Sequence, residues 1–405
     1  MAKMRNFLRC VVSSRRNLLA LVFIVGLFEV AILYWILPGR APRTFTAVQP
    51  DSTAYICYGL QIARQTPESL YEISSEIFNG FGYPEVSCLS PNLSTNLLWL
   101  IYPRVLLSAF IALFSFLPIS GSILIPSILF FFLLVWFWFD AVVPRGTSLN
   151  FRHWLVAIAP LAAFTMIIWP ASVLTDGPMT VLSVCGVLAI VRLGRKPRSW
   201  PVIFIIGFLM LLTRPSWPVV GCLWGIALFG QIGMYFGSSS RILASKFTRA
   251  LVALVGGYSG AILLAKAVEL VTVPPGLKET QAYVPEGMIF SPGTLANIVS
   301  SAISSTFVDL IDSIRRGDLV SPILLFVAFA SVILVLRMRA FGIASYCVVL
   351  LGFGLYSVGL VSSFYGDVNT HLRFLVPGIL ASIAAFCVVN KRRVASQPEP
   401  CGVLN

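Results

Sequence analysis

Apolar stretches of about twenty residues recur along almost the whole chain and constrain its fold more than any other feature. They fall at 17–37, 97–118, 120–143, 154–174, 178–193, 200–236, 250–273, 319–336, 341–362 and 374–390. A helix needs roughly 20 apolar residues to cross the hydrocarbon core of a bilayer. The runs are continuous rather than alternating, which selects helices over barrel strands. The stretch at 200–236 is too long for one crossing. Arg214-Pro215 and Pro218 interrupt it near the middle, so it reads as two short helices. Only 11% of the 405 residues are charged and 58% are hydrophobic, where a soluble domain carries about 25% charged residues. An ordinary globular domain, a disordered chain and a soluble nucleic-acid binder are thereby excluded.

The net charge of +13 acquires meaning once it is sorted by position. Basic clusters sit at Lys3/Arg5/Arg9/Arg15/Arg16, Arg192/Arg195/Lys196/Arg198, Arg241/Lys246/Arg249, Arg337/Arg339 and Lys391/Arg392/Arg393. The positive-inside rule assigns such clusters to the cytoplasm. If every apolar stretch crossed, the first cluster and the later ones would lie on opposite sides, so one stretch between 97 and 193 does not cross. The segment 97–118 is the candidate. Arg104, Ser108 and Ser115 fall on one face of a helix there, and an amphipathic helix of that kind lies in the membrane interface. About ten crossings remain, with both termini cytoplasmic. Nineteen Lys and Arg residues then lie on the cytoplasmic side and nine on the outer side, with Lys266 inside a helix. The basic excess is a topology and lipid-contact signal, and no nucleic-acid partner is expected.

One transmembrane domain thus covers 1–393. It carries a first outer loop at 38–119, which includes the interfacial helix, and a second outer loop at 274–318. A short cytoplasmic tail, 394–405, follows. Residues 17–37 follow a basic start but run into the bulky, Pro-containing 34–42, which reads as an anchor rather than a cleaved signal peptide. Six of the eight cysteines fall in helices or on the cytoplasmic side. Cys57 and Cys88 share the first outer loop and form the candidate disulfide. No CxxC or Cys/His metal spacing occurs, and there are two histidines.

Ionisable groups near hydrocarbon are costly and are functional candidates by default. In this topology Asp51, Asp176, Arg214, His371 and Arg373 gather at the outer face. Each has an ordinary structural use. Asp51 fits a helix cap at Ser52, and Asp176 fits a turn before Gly177-Pro178. Arg214 and Arg373 fit snorkelling to the interface, and His371 fits a surface position. Glu29, Lys266 and Glu269 lie within helices and fit pairing inside the bundle. Taken together, acids and cations at one face suit an anionic lipid substrate.

The order of these residues resembles the GT-C superfamily of polyprenyl-phosphate-dependent glycosyltransferases. Asp51 with Tyr55 follows the first helix, and the amphipathic 97–118 precedes the next crossing. A Thr-Asp-x-Pro turn stands at Thr175 to Pro178 and a Thr-Arg-Pro turn at Thr213 to Pro215. Arg373-Phe374-x-x-Pro377 opens the last helix. The pattern spans roughly 15–390. The resemblance implies an all-α, multi-pass bundle and an inverting glycosyl transfer at the outer face. The donor is a polyprenyl-phosphate sugar, and the acceptor is a hydroxyl of a glycan, lipid or protein. It gives Asp51 the role of general base and Asp176 that of acceptor-orienting residue. Arg373, Arg214 and His371 hold the donor phosphate, and Tyr55 and Tyr58 line the substrate. Asp51 is followed by Ser52 instead of a second acid or an aromatic residue. Metal use is therefore left open, with magnesium or manganese at Asp51 and Asp176 if the reaction needs one. The expected location is a bacterial plasma membrane with a periplasmic active face.

Three other readings compete. A transporter or flippase of a lipid-linked or anionic solute fits the crossings, but no internal repeat is visible and the polar groups concentrate on one face. A glycan ligase or polymerase would place its polar residues in a late outer loop, and 274–318 carries Arg315 and Arg316. A non-catalytic membrane scaffold is the third.

Overall fold

The computed structural model describes residues 15–35, 104–117, 119–143, 155–159, 176–214, 216–235, 245–272, 320–365 and 373–396, with single positions between 55 and 63 and between 296 and 315. Among these residues the chain is helical and has no strand. The principal helices are α1 (Arg15–Trp35), α2 (Val105–Leu113), α3 (Ile119–Val142), α4 (Asp176–Leu193), α5 (Trp200–Thr213), α6 (Trp217–Tyr235), α7 (Lys246–Thr272), α8 (Val320–Leu336), α9 (Phe341–Tyr365) and α10 (Val376–Ser396).

Among the described residues, four segments are long and apolar enough to cross a membrane: Trp217–Tyr235, Lys246–Val271, Phe341–Val358 and Arg373–Asn390. Shorter apolar helices cover Ile128–Val142, Gly177–Leu193, Pro197–Thr213 and Pro322–Leu336. The protein is accordingly an integral membrane protein, helical among the described residues. Phe247, Leu263, Leu270 and Phe326 are each at least 70% exposed, a surface that suits lipid and not water.

Proline sets several helix starts. Trp200-Pro201, Trp217-Pro218 and Val376-Pro377 each place proline in a first turn, where its missing N–H would have had no intrahelical partner. The long stretch at 200–236 does divide at Arg214-Pro215, into α5 and α6. By contrast, α2 has nine residues, about 14 Å of helix, far short of a bilayer. Its polar stripe has an internal use. Ser108 is fully buried and its hydroxyl donates to the Tyr55 carbonyl at 3.1 Å.

At the centre stands α4, packed against α3, α5, α9 and α10. Its buried Ser183 donates back to Met179 O at 2.7 Å, so the hydroxyl is satisfied within its own helix. Tyr346 of α9 is fully buried beside it, with its hydroxyl 3.4 Å from Ser183 O. At the edge, α7 packs chiefly on α6. Backbones meet closely there: a Cβ on Gly257 would lie 2.5 Å from Gly221 O and from Gly225 N. Gly221 and Gly225 stand four apart, the small-residue spacing that lets apolar helices approach without a hydrophobic drive.

Contacts at one end of the bundle fix its polarity. Arg15 at the start of α1 pairs with Asp140 at the end of α3 at 3.3 Å. Gln231 Nε2 near the end of α6 donates to Pro197 O at 2.9 Å. The Arg249 guanidinium, at the start of α7, lies 5.7 Å from the Phe229 ring. The basic clusters at 192–198 and 246–249 therefore share one end.

Candidate functional site

The opposite end holds Arg214 and Arg373. The first closes α5, which runs away from Pro197, and the second precedes α10, which runs back to the basic end. Arg214 owes its placement to the proline after it. A residue before proline is driven out of the helical region, and Arg214 adopts φ −151°, ψ 150°. Its N–H still donates to Met210 O at 2.9 Å, while its carbonyl accepts from Ser216 N–H at 2.6 Å. Ser216 O then accepts from Val220 N–H at 3.0 Å and starts α6. The tight reversal points one arginine inward from the junction of two helices.

Arg373 opens a short 3-10 turn over 373–375 that leads into α10. The backbone of that turn rests on α9 at Gly354, where a Cβ would come within 2.7 Å of Phe374 O. Only glycine allows that approach. Phe374 then becomes the meeting point. The guanidinium carbon of Arg214 lies 4.2 Å from the ring centroid, and that of Arg373 lies 5.4 Å from it. Both arginines are buried, at 7% and 6% exposure. Cations within about 6 Å of an aromatic face gain from the ring quadrupole, more so when water is excluded. Two guanidinium forks at one dry location also suit a phosphate, which they can meet bidentately. Arg214 and Arg373 are thus brought together. The shared ring between them was present in the sequence as Phe374, but nothing in the motif distinguishes a bridging ring from a lipid-facing one.

The segment around Tyr55 contributes a second cluster. Tyr55 is 1% exposed and its hydroxyl accepts from Arg104 Nη1 at 3.1 Å. Gly59 allows the segment to lie on α2, since a Cβ there would be 2.8 Å from Ser108 O and 2.9 Å from Ile111 Cβ. Tyr58 is half-buried and packs against the apolar core. Tyr55 is therefore engaged in seating its segment on α2. The positional pairing with Arg104 is a contact that sequence spacing did not suggest.

Asp51, His371, Cys57 and Cys88 lie outside the described residues. Asp176 is the first residue of α4, and its side chain lies outside them too. Among the described residues no group of three or more His, Cys, Asp or Glu side chains is placed to hold a metal ion. Lys266 and Glu269 of α7 pair with each other at 2.6 Å. Comparison with known proteins gives no match to a family model, a curated protein or a solved structure.

Proposed function

We propose that the chain is a membrane glycosyltransferase that moves a sugar from a polyprenyl-phosphate donor to an acceptor hydroxyl. The observation that carries this reading is the buried convergence of Arg214 and Arg373 on Phe374. It lies at the end of the bundle opposite the basic clusters. By the positive-inside rule that end is the outer face, so the donor headgroup meets the protein in the outer leaflet, on the periplasmic side of a bacterial plasma membrane. The about ten crossings of the sequence reading, with both termini cytoplasmic, belong to the same proposal.

The acceptor oxygen attacks the anomeric carbon, and its proton passes to the Asp51 carboxylate. The bond from that carbon to the donor's phosphate oxygen breaks, and its electron pair leaves with polyprenyl phosphate. Negative charge on the leaving group grows as the bond stretches. Arg373 and Arg214 stabilise it through charge-assisted hydrogen bonds in a water-poor site, with His371 as a further donor. Asp176, at the head of α4, orients the acceptor, and it joins Asp51 as a magnesium or manganese ligand if the reaction uses a divalent ion. One base and one phosphate leaving group suffice for inversion.

Purified full-length protein tests this with a synthetic lipid-phosphate sugar. Asp51→Asn is expected to abolish transfer and leave donor binding within about twofold. Arg373→Ala is expected to weaken use of the donor by 10- to 100-fold, the range for one buried charge-assisted contact of about 1.5–3 kcal/mol. Near-normal turnover by Asp51→Asn removes Asp51 as the base. Unchanged affinity and turnover in Arg373→Ala removes the phosphate role.

A further inference from the structure

A long lateral groove of about 2070 Å³ runs between α3, α4, α5 and the end of α10. It is about twice the volume of the largest usual small-molecule pockets, which reach about 1,000 Å³. Its floor is a helical stripe on α4, from Pro178 through Val181, Cys185 and Leu188 to Arg192. One wall is Val202, Ile206 and Leu209 of α5, again at spacings of three and four. Fourteen helical steps on α4 make it about 21 Å long. One leaflet of hydrocarbon is about 15 Å deep, half of the roughly 30 Å core, so an extended chain from a single leaflet fits along it.

The charge is confined to one end. Arg192, Arg195 and Lys196 line the mouth there and are exposed, with Asn390 of α10 beside them. The acid in the groove lining is Asp140, which pairs with Arg15 at 3.3 Å. That pair cancels itself and leaves three cations in excess. The rest of the lining that defines the floor and the α5 wall is apolar. An apolar slot with a cationic mouth complements a lipid whose head is anionic, and basic pockets between membrane helices hold such heads.

We propose that this groove holds an anionic phospholipid. Its phosphate sits against Arg192, Arg195 and Lys196, and an acyl chain lies along α4 and α5. The site is distinct from the proposed donor site, since Arg214 and Arg373 stand at the opposite end of the same helices. It does not depend on the transferase reading.

Native mass spectrometry of the purified full-length protein tests it, with added phosphatidylglycerol and phosphatidylcholine of identical acyl chains. Phosphatidylglycerol is expected to be retained at least tenfold more strongly. Each of the single variants Arg192→Gln, Arg195→Gln and Lys196→Gln is expected to lose about fivefold, the worth of one cation near a lipid surface. The triple variant is expected to lose the preference. The three side chains are exposed, so the single variants keep the test decisive even if the triple variant misfolds. Arg214→Gln and Arg373→Gln are expected to leave retention unchanged, and inorganic phosphate alone is expected not to compete. Equal retention of the two lipids overturns the proposal. A preference that survives the single variants, or one lost with Arg214→Gln, places the lipid elsewhere and overturns it as well. Displacement by free phosphate shows a surface anion site without a lipid and does the same.

Discussion

Replacing Gly257 with alanine adds one methyl group at the closest helix contact of the α6–α7 pair. That methyl would lie 2.5 Å from Gly221 O, 2.5 Å from Gly225 N and 2.8 Å from Gly225 Cα. All three are backbone atoms, so no side chain can swing aside. Relief requires the helices to separate by about 0.9 Å, enough to forfeit a quarter to a half of the dispersion energy of each facing atom pair. Overpacking of this kind costs about 1–3 kcal/mol. Alanine returns about 1 kcal/mol of helix propensity, and a net loss of up to about 2 kcal/mol is expected. The neighbouring Gly256 is the control. A Cβ there meets only Leu228 Cδ1 at 3.4 Å, an ordinary contact, so Gly256→Ala is expected to be neutral or to gain up to about 1 kcal/mol. Unfolding of the two purified variants by SDS titration in mixed micelles measures the difference. If both shift in the same direction by similar amounts, the close backbone seam is wrong.

Phe374→Leu keeps an apolar side chain but removes the ring that Arg214 and Arg373 share. A loss of about 0.5–2 kcal/mol is expected, seen as about 2- to 30-fold weaker binding of a synthetic polyprenyl phosphate by calorimetry. Tyr55→Phe deletes the acceptor for Arg104 and is expected to cost about 1.5–3 kcal/mol of stability, as for hydrogen bonds to charged groups. Protection of the segment around Tyr55 from limited proteolysis should fall with it. Asp140→Asn removes the partner of Arg15, but both side chains are about a third exposed. Less than about 1 kcal/mol is expected, and the effect should shrink as salt is raised in a thermal-shift series.

Much of the architecture was legible because a bilayer admits few solutions. Continuous apolar runs required helices, and Arg214-Pro215 announced the break between α5 and α6 through the local rule for residues before proline. Basic residues cluster at particular helix ends, and the Arg15–Asp140 and Gln231–Pro197 contacts bring two pairs of ends together. The polar stripe of α2 was visible, but its destination was not. A serine on a helix face looks the same in sequence whether it meets headgroups or, as Ser108 does, a carbonyl from a distant segment. Pairing across such distances depends on packing, which periodicity does not encode. For the same reason the sequence pointed to Arg214 and Arg373 but not to Gly354, whose missing side chain seats Phe374.

The ring of Phe374 ties the α5–α6 junction to the head of the last helix, two stretches far apart along the chain. During synthesis Arg214 emerges long before Phe374 does. The pair of guanidinium groups can meet only after α10 has inserted and docked against α9. A nascent chain is therefore unable to assemble this cation pair until its final helix is in place. Truncation before α10 and the turn that leads into it would remove both Arg373 and Phe374, so the cation site cannot form until that helix is made.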